Sequence, residues 1–292
     1  MKAAAAIAGV LLWGVLMAAA PAPENPNLQD ISFVAEVDKT PQQYMMILPE
    51  GFKPDQPHDL LVAMHGHGSD RKQFAMDTRS ECKASRDVAA KHAMIYVCPD
   101  YRGTASWMSP KAEADVAQII GDLKKKYRVG KVFVTGGSMG GVACLAFAAR
   151  RPELVDGVAS MNGCANLLEY NVDTFVKAIA RSYGGTKREI PQVWKDRSAE
   201  YWPERLTMPV AMTAGGKDTA VPPESVVRLA GILKQLERPV LLVYRENGGH
   251  STSYEDATTI LEFVIARAKE PAGASSRPAG ATSRPASQPA GK

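Results

Sequence analysis

The hexapeptide Gly136-Gly137-Ser138-Met139-Gly140-Gly141 constrains this chain more than any other stretch. It follows an apolar run at 131–135, read as a strand, and opens an Ala-rich run at 139–150, read as a helix ended by Pro152. So sharp a strand-to-helix turn strains its central residue, and the neighbours must lack side chains for the two backbones to approach. The serine hydroxyl is then lifted over a sheet edge at a helix N-terminus, where free N–H groups and the helix dipole favour negative charge. A phosphate cradle is the other use of such a turn, but neither G-x-G-x-x-G nor a following G-K-[ST] is present.

The rest of the body alternates strands and helices around this turn. Residues 31–37 and 44–48 alternate as an antiparallel opening pair. Strands are expected at 60–64, 93–98, 155–161, 209–214 and 240–244. Helices are expected at 80–91, 111–127, 224–236 and 254–268. The run at 60–64 is continuously apolar, the mark of a strand buried on both faces. This order implies an α/β fold with a mostly parallel sheet covered on both sides, in which ligands bind beyond the carboxyl ends of the strands.

The remaining unusual residues fall at that edge. A serine hydroxyl is a poor nucleophile and needs a base, itself oriented by a carboxylate. His250, in Gly248-Gly249-His250-Ser251, follows the last expected strand, and Asp218, between Gly215 and Pro222, follows the strand before it. A third strand ends in His65-Gly66-His67-Gly68. Acyl transfer needs two N–H donors for the oxyanion, and the backbone N–H groups of His67 and Met139 are the candidates. His65 and His67 share a strand face, as two metal ligands would, but no carboxylate or cysteine cluster completes such a site, so no metal or cofactor is expected.

The two ends are read separately from the body. Lys2, the apolar stretch 3–17 and the small residues 18–20 make 1–22 a signal peptide, with an uncleaved anchor helix as the alternative. From Pro271 the chain repeats Ser-Arg-Pro-Ala and holds no apolar residue larger than Ala, so 271–292 is expected to be disordered. Net charge is +4, but removing Lys2, Arg277, Arg284 and Lys292 leaves 31 basic against 31 acidic residues. The body therefore gives no electrostatic case for nucleic acid. Export, to periplasm or exterior, permits disulfides among Cys82, Cys98, Cys144 and Cys164. Cys82 and Cys98 belong near one sheet edge and are the preferred pair, while Cys144 lies in an apolar helix and reads as a buried thiol.

On Tyr44–Pro49, His65–Ser69, Val132–Gly141, Arg197–Ala199, Gly215–Pro222 and Gly248–Ser251, the span 43–265 resembles the α/β-hydrolase superfamily. Within it the chain is similar to exported esterases of the polyhydroxybutyrate-depolymerase and feruloyl-esterase type, and to the catalytic domain of prolyl-oligopeptidase-type peptidases. The order Ser138, Asp218, His250 is that of the superfamily. The body, 23–270, departs from it in carrying His67 where a smaller or different residue is common, and no N-terminal propeller is expected. A cap insert is expected at about 165–208, where six of the chain's 20 aromatics fall. Tyr170, Trp194 and Trp202 from it, with Trp107 from an earlier loop, are candidate substrate walls, although aromatics of an insert also serve to pack it on the body.

These features predict an exported serine hydrolase that cleaves small or polymer-linked carboxylic esters through an acyl-enzyme. Ser138 is the nucleophile, His250 the base and Asp218 its orienting acid. A peptidase of the prolyl-oligopeptidase type is the alternative enzyme. A binding protein on a retired hydrolase fold is the alternative outside catalysis. No nucleic-acid partner is expected, and no stable membrane partner if the signal is cleaved.

Overall fold

The computed structural model describes residues 27–270, so the expected signal peptide (1–22) and tail (271–292) lie outside the described residues. The strands are β1 (Leu28–Val34), β2 (Pro41–Ile47), β3 (His58–Met64), β4 (Ile95–Pro99), β5 (Val129–Gly137), β6 (Gly157–Met161), β7 (Val210–Gly215) and β8 (Val240–Arg245). They form one sheet in the order β1-β2-β4-β3-β5-β6-β7-β8. β1 and β2 pair antiparallel, as do β2 and β4, and every other pair is parallel. The helices are α1 (Lys72–Met76), α2 (Ser80–Lys91), α3 (Pro110–Lys126), α4 (Met139–Arg150), α5 (Asp173–Tyr183), α6 (Pro191–Asp196), α7 (Glu224–Gln235) and α8 (Tyr254–Lys269). This is the α/β-hydrolase architecture expected from the sequence.

Alternation along the strands explains the two layers. In β3, Leu60, Val62 and Met64 face a core shared with α3, α4 and α7, while Leu61 and Ala63 face one shared with α2 and α8. Because β3 and β5 neighbour each other at the centre while the chain leaves them toward opposite sheet edges, their carboxyl ends open a crevice between the following loops. Between β6 and β7 the chain runs through α5, α6 and two short 3-10 turns, Ala199–Tyr201 and Pro203–Arg205.

The preferred disulfide is corrected: Cys82 on α2 and Cys98 on β4 are buried free thiols, as are Cys144 and Cys164. Cys82 and Cys98 share the core layer of α2 and α8 and pack there as small apolar groups. Burial pushes the Cys82 and Cys144 thiols up to about 12. Iodoacetamide at about pH 8 is therefore expected to modify none of the four in the native protein, since the thiolate is the nucleophile. Mass spectrometry in denaturant without reductant should then find all four alkylated, and a resistant pair there would reveal a bridge.

Candidate active site

Ser138 stands between β5 and α4 at φ 58° and ψ −120°. A residue with a Cβ is strained there and stays only where its surroundings fix it. Its N–H donates to the Met161 carbonyl at 2.8 Å, and its carbonyl accepts from the Val142 N–H at 3.0 Å. Gly140 shows why the turn needs glycine. A Cβ there would lie 2.0 Å from the Met64 carbonyl oxygen, so α4 rests directly on the end of β3.

Asp218, only 5% exposed, follows β7. Its Oδ1 accepts from the N–H groups of Ala220 (2.9 Å) and Val221 (2.8 Å), and its Oδ2 lies 2.6 Å from His250 Nδ1. Burial raises the Asp218 carboxyl, but the bonds from His250, Val221 and Asn162 outweigh it and hold the group below its usual value. With Asp218 ionised, Nδ1–H is the donor and His250 Nε2 keeps its lone pair. That atom is 2.9 Å from Ser138 Oγ. The three residues expected from separate strand ends are thus one hydrogen-bonded run.

The loop after β3 flanks them, because Met64 pairs with Gly136. The Gly66 N–H donates to Gln73 Oε1 at 2.6 Å and the Gly68 N–H to the Thr104 carbonyl at 2.7 Å, fixing the loop on either side of His67. Met139 opens α4, so its N–H lacks an acceptor one turn back. His65 is buried with its ring nitrogens facing the carbonyls of Gly66 and Asp100, which gives it a packing role. Among the described residues no three His, Cys, Asp or Glu side chains are grouped as a metal site.

A cleft of 320 Å³ lies over Ser138 and His250, at the lower end of small-molecule sites. Phe74 and Phe175 give it apolar surface, and Gln73, Arg79 and Glu81 give it polar surface. The four aromatics proposed as walls do not line it. Trp107 is 1% exposed and sits behind His67, with its indole N–H donating to His67 Nδ1. Tyr170 lines a separate cavity with Cys164 and Arg228. Trp194 is fully buried against Tyr183, and Trp202 lies under the Arg205 guanidinium. Trp194 and Trp202 of the insert serve packing, and among the insert's aromatics Phe175 reaches the cleft.

Asn162, at the end of β6, is a positioning residue that sequence reasoning missed. It sits at φ 47°, a left-handed conformation Asn tolerates better than most residues. Its Oδ1 accepts from the hydroxyls of Thr213 and Thr252, and its Nδ2 donates to the Gly249 carbonyl at 3.2 Å and reaches Asp218 Oδ2 at 3.5 Å. A polar residue directly after a parallel strand was the available signal. Asn162→Ala takes the shared acceptor from the Thr213 and Thr252 hydroxyls, which keep their mutual bond at 2.8 Å while one of their buried protons is left unpaired, and is expected to lower stability by about 1–3 kcal/mol. Melting and steady-state kinetics together should show a lower kcat too, as the loops carrying Asp218 and His250 lose a shared anchor.

Residues 81–267 match the prolyl oligopeptidase family, well over half of the chain. The chain belongs to that family. No curated protein sequence matches the chain. Among solved structures it is similar to acylaminoacyl peptidase of Pyrococcus horikoshii, at 15% identity and TM-score 0.64, over 85% of this chain and 43% of that one. It is also similar to fluorophosphonate-binding serine hydrolase F of Staphylococcus aureus, at 15% identity and TM-score 0.62, over 81% of this chain and 98% of that one. A ferulic acid esterase matches at 17% identity and TM-score 0.62, over 82% of this chain and 97% of that one. The chain therefore spans less than half of the peptidase and nearly all of the other two, and at these identities the likeness is one of fold.

Proposed function

We propose that this protein hydrolyses carboxylic esters through an acyl-enzyme on Ser138. The observation that carries the reading is the unbroken run Asp218–His250–Ser138, with its nucleophile in an open cleft. His250 Nε2 takes the hydroxyl proton as Ser138 attacks the carbonyl, then returns it to the leaving alcohol. Asp218 holds the required tautomer and stabilises the imidazolium. The backbone N–H groups of His67 and Met139 hold the oxyanion. The cleft's size and the rings of Phe74 and Phe175 suit one acyl or aromatic-acid unit beside the nucleophile, and the fold is similar to that of a ferulic acid esterase.

Peptide cleavage is the second reading, favoured by the family match and by Arg79 and Glu81, charged groups in the cleft suited to peptide termini. Matched p-nitrophenyl ester and p-nitroanilide substrates separate the two. The ester is expected to turn over and the anilide to be nearly inert; comparable rates would give the assignment to a peptidase.

Export is proposed from Lys2, the apolar stretch 3–17 and the small residues after it. N-terminal mass spectrometry of protein recovered from periplasm or medium should find a chain starting near residue 22, and an intact Met1 would refute cleavage.

A further inference from the structure

The strained segment behind the cleft has a chemical consequence at its surface. Trp107 stands at φ 48° and Met108 at φ 56°, uncommon and strained values for bulky residues. Two bonds from the segment between β6 and β7 hold them there. The Tyr183 hydroxyl donates to the Trp107 carbonyl at 2.6 Å, and Arg197 Nε donates to the Met108 carbonyl at 2.8 Å. Arg197 is fixed in turn by Glu113 at 2.9 Å. The result is a buried indole whose N–H meets His67 Nδ1 at 3.2 Å.

An indole nitrogen is a donor only. His67 Nδ1 must therefore accept, and in a neutral imidazole the remaining proton then sits on Nε2. An imidazolium has no lone pair for Trp107, so protonation would break this bond. Phe175 meets the ring edge-on at 5.0 Å and limits its rotation. The edge bearing Nε2 points away from Trp107, His67 lines the same cleft as Ser138 and His250, and no acceptor for that proton is found among the described residues. Burial and the neighbouring His65, the titratable group that acts on the ring, both lower its affinity for a second proton.

We propose that the His67 imidazole is a neutral hydrogen-bond donor to the substrate carbonyl oxygen as it becomes the oxyanion, with Trp107 setting the tautomer. The ring's N–H adds to the backbone donors of His67 and Met139 without bringing a fixed charge into the cleft. It rests on Ser138 being the acylated nucleophile.

Two measurements on the full chain test it. In long-range 1H–15N spectra of 15N-histidine-labelled protein, with His67 assigned by its loss in His67→Gln, Nδ1 should appear unprotonated and Nε2 protonated. Trp107→Phe should mix the two tautomers. In ester kinetics, His67→Phe keeps the backbone donor and removes the ring's, so kcat is expected to fall about 10²-fold with KM within about threefold. His67→Gln, which retains a side-chain N–H, should recover part of the loss, whereas a purely packing role would favour the Phe variant. A protonated Nδ1 in the wild type overturns the proposal. So does unchanged kcat in a folded His67→Phe, while the wild type still reacts with a fluorophosphonate. Absence of that reaction in the wild type would instead sink the Ser138 reading, and the proposal with it.

Discussion

Ser138→Ala is expected to lower kcat on an activated ester by about 10⁶-fold and to abolish labelling by a fluorophosphonate, leaving the residual rate that oxyanion donors alone provide. Its effect on stability should be small, because alanine carries the same Cβ into the same φ of 58° and keeps the backbone bonds to Met161 and Val142. Ser138→Gly removes that Cβ. Glycine occupies this region without steric cost, so the variant is expected to be equally inactive yet more stable, by about 1 kcal/mol. The pair separates the chemistry of the hydroxyl from the strain of the turn. Thermal melts in which Ser138→Gly is no more stable than Ser138→Ala would show that the turn stores no strain. Labelling that survives in either variant would move the nucleophile elsewhere.

The run from Gly136 to Gly141 carried so much information because its constraint is steric. A Cβ at 140 would strike the end of β3, and that is true whatever surrounds the site. Continuous apolar runs located the central strands for a similar reason, since residues buried on both faces leave no polar alternation. The helical spacing at 80–91 and 139–150 coincides with α2 and α4. α1 is a five-residue helix, too short for any period to show. The amphipathic α5 shows in the helical spacing of Phe175, Val176, Ile179, Ala180 and Tyr183, within the stretch enriched in aromatics. That enrichment gave the place of the insert and not the direction its side chains take. Trp194 and Trp202 therefore went into packing, while Phe175 reached the cleft. The cysteine pairing failed on similar ground. Two thiols in one apolar layer satisfy proximity, and burial alone accounts for them.

Asp218→Asn should leave the fold almost intact and still reduce kcat/KM by about 10⁴-fold. The wild-type bonds give the reason. Oδ1 faces two backbone N–H donors, from Ala220 and Val221, and an amide NH2 cannot face them, so the asparagine oxygen is forced to that side. Its NH2 then points at His250 Nδ1. A donor there compels Nδ1 to accept, which places the imidazole proton on Nε2, opposite Ser138 Oγ. The base loses the lone pair it needs while every heavy atom stays in place. Stability carries a second signature. Because the native carboxyl is held below its unfolded value, its stabilising contribution is present above an ordinary aspartate value of about 3.9 and is lost as pH falls through the lower, folded value. The gap in stability between wild type and Asp218→Asn should therefore narrow as the medium is acidified through that range. Steady-state kinetics at neutral pH and denaturant melts at a series of acid pH values test both parts, and activity within tenfold of wild type would show that His250 does not depend on Asp218 for its tautomer.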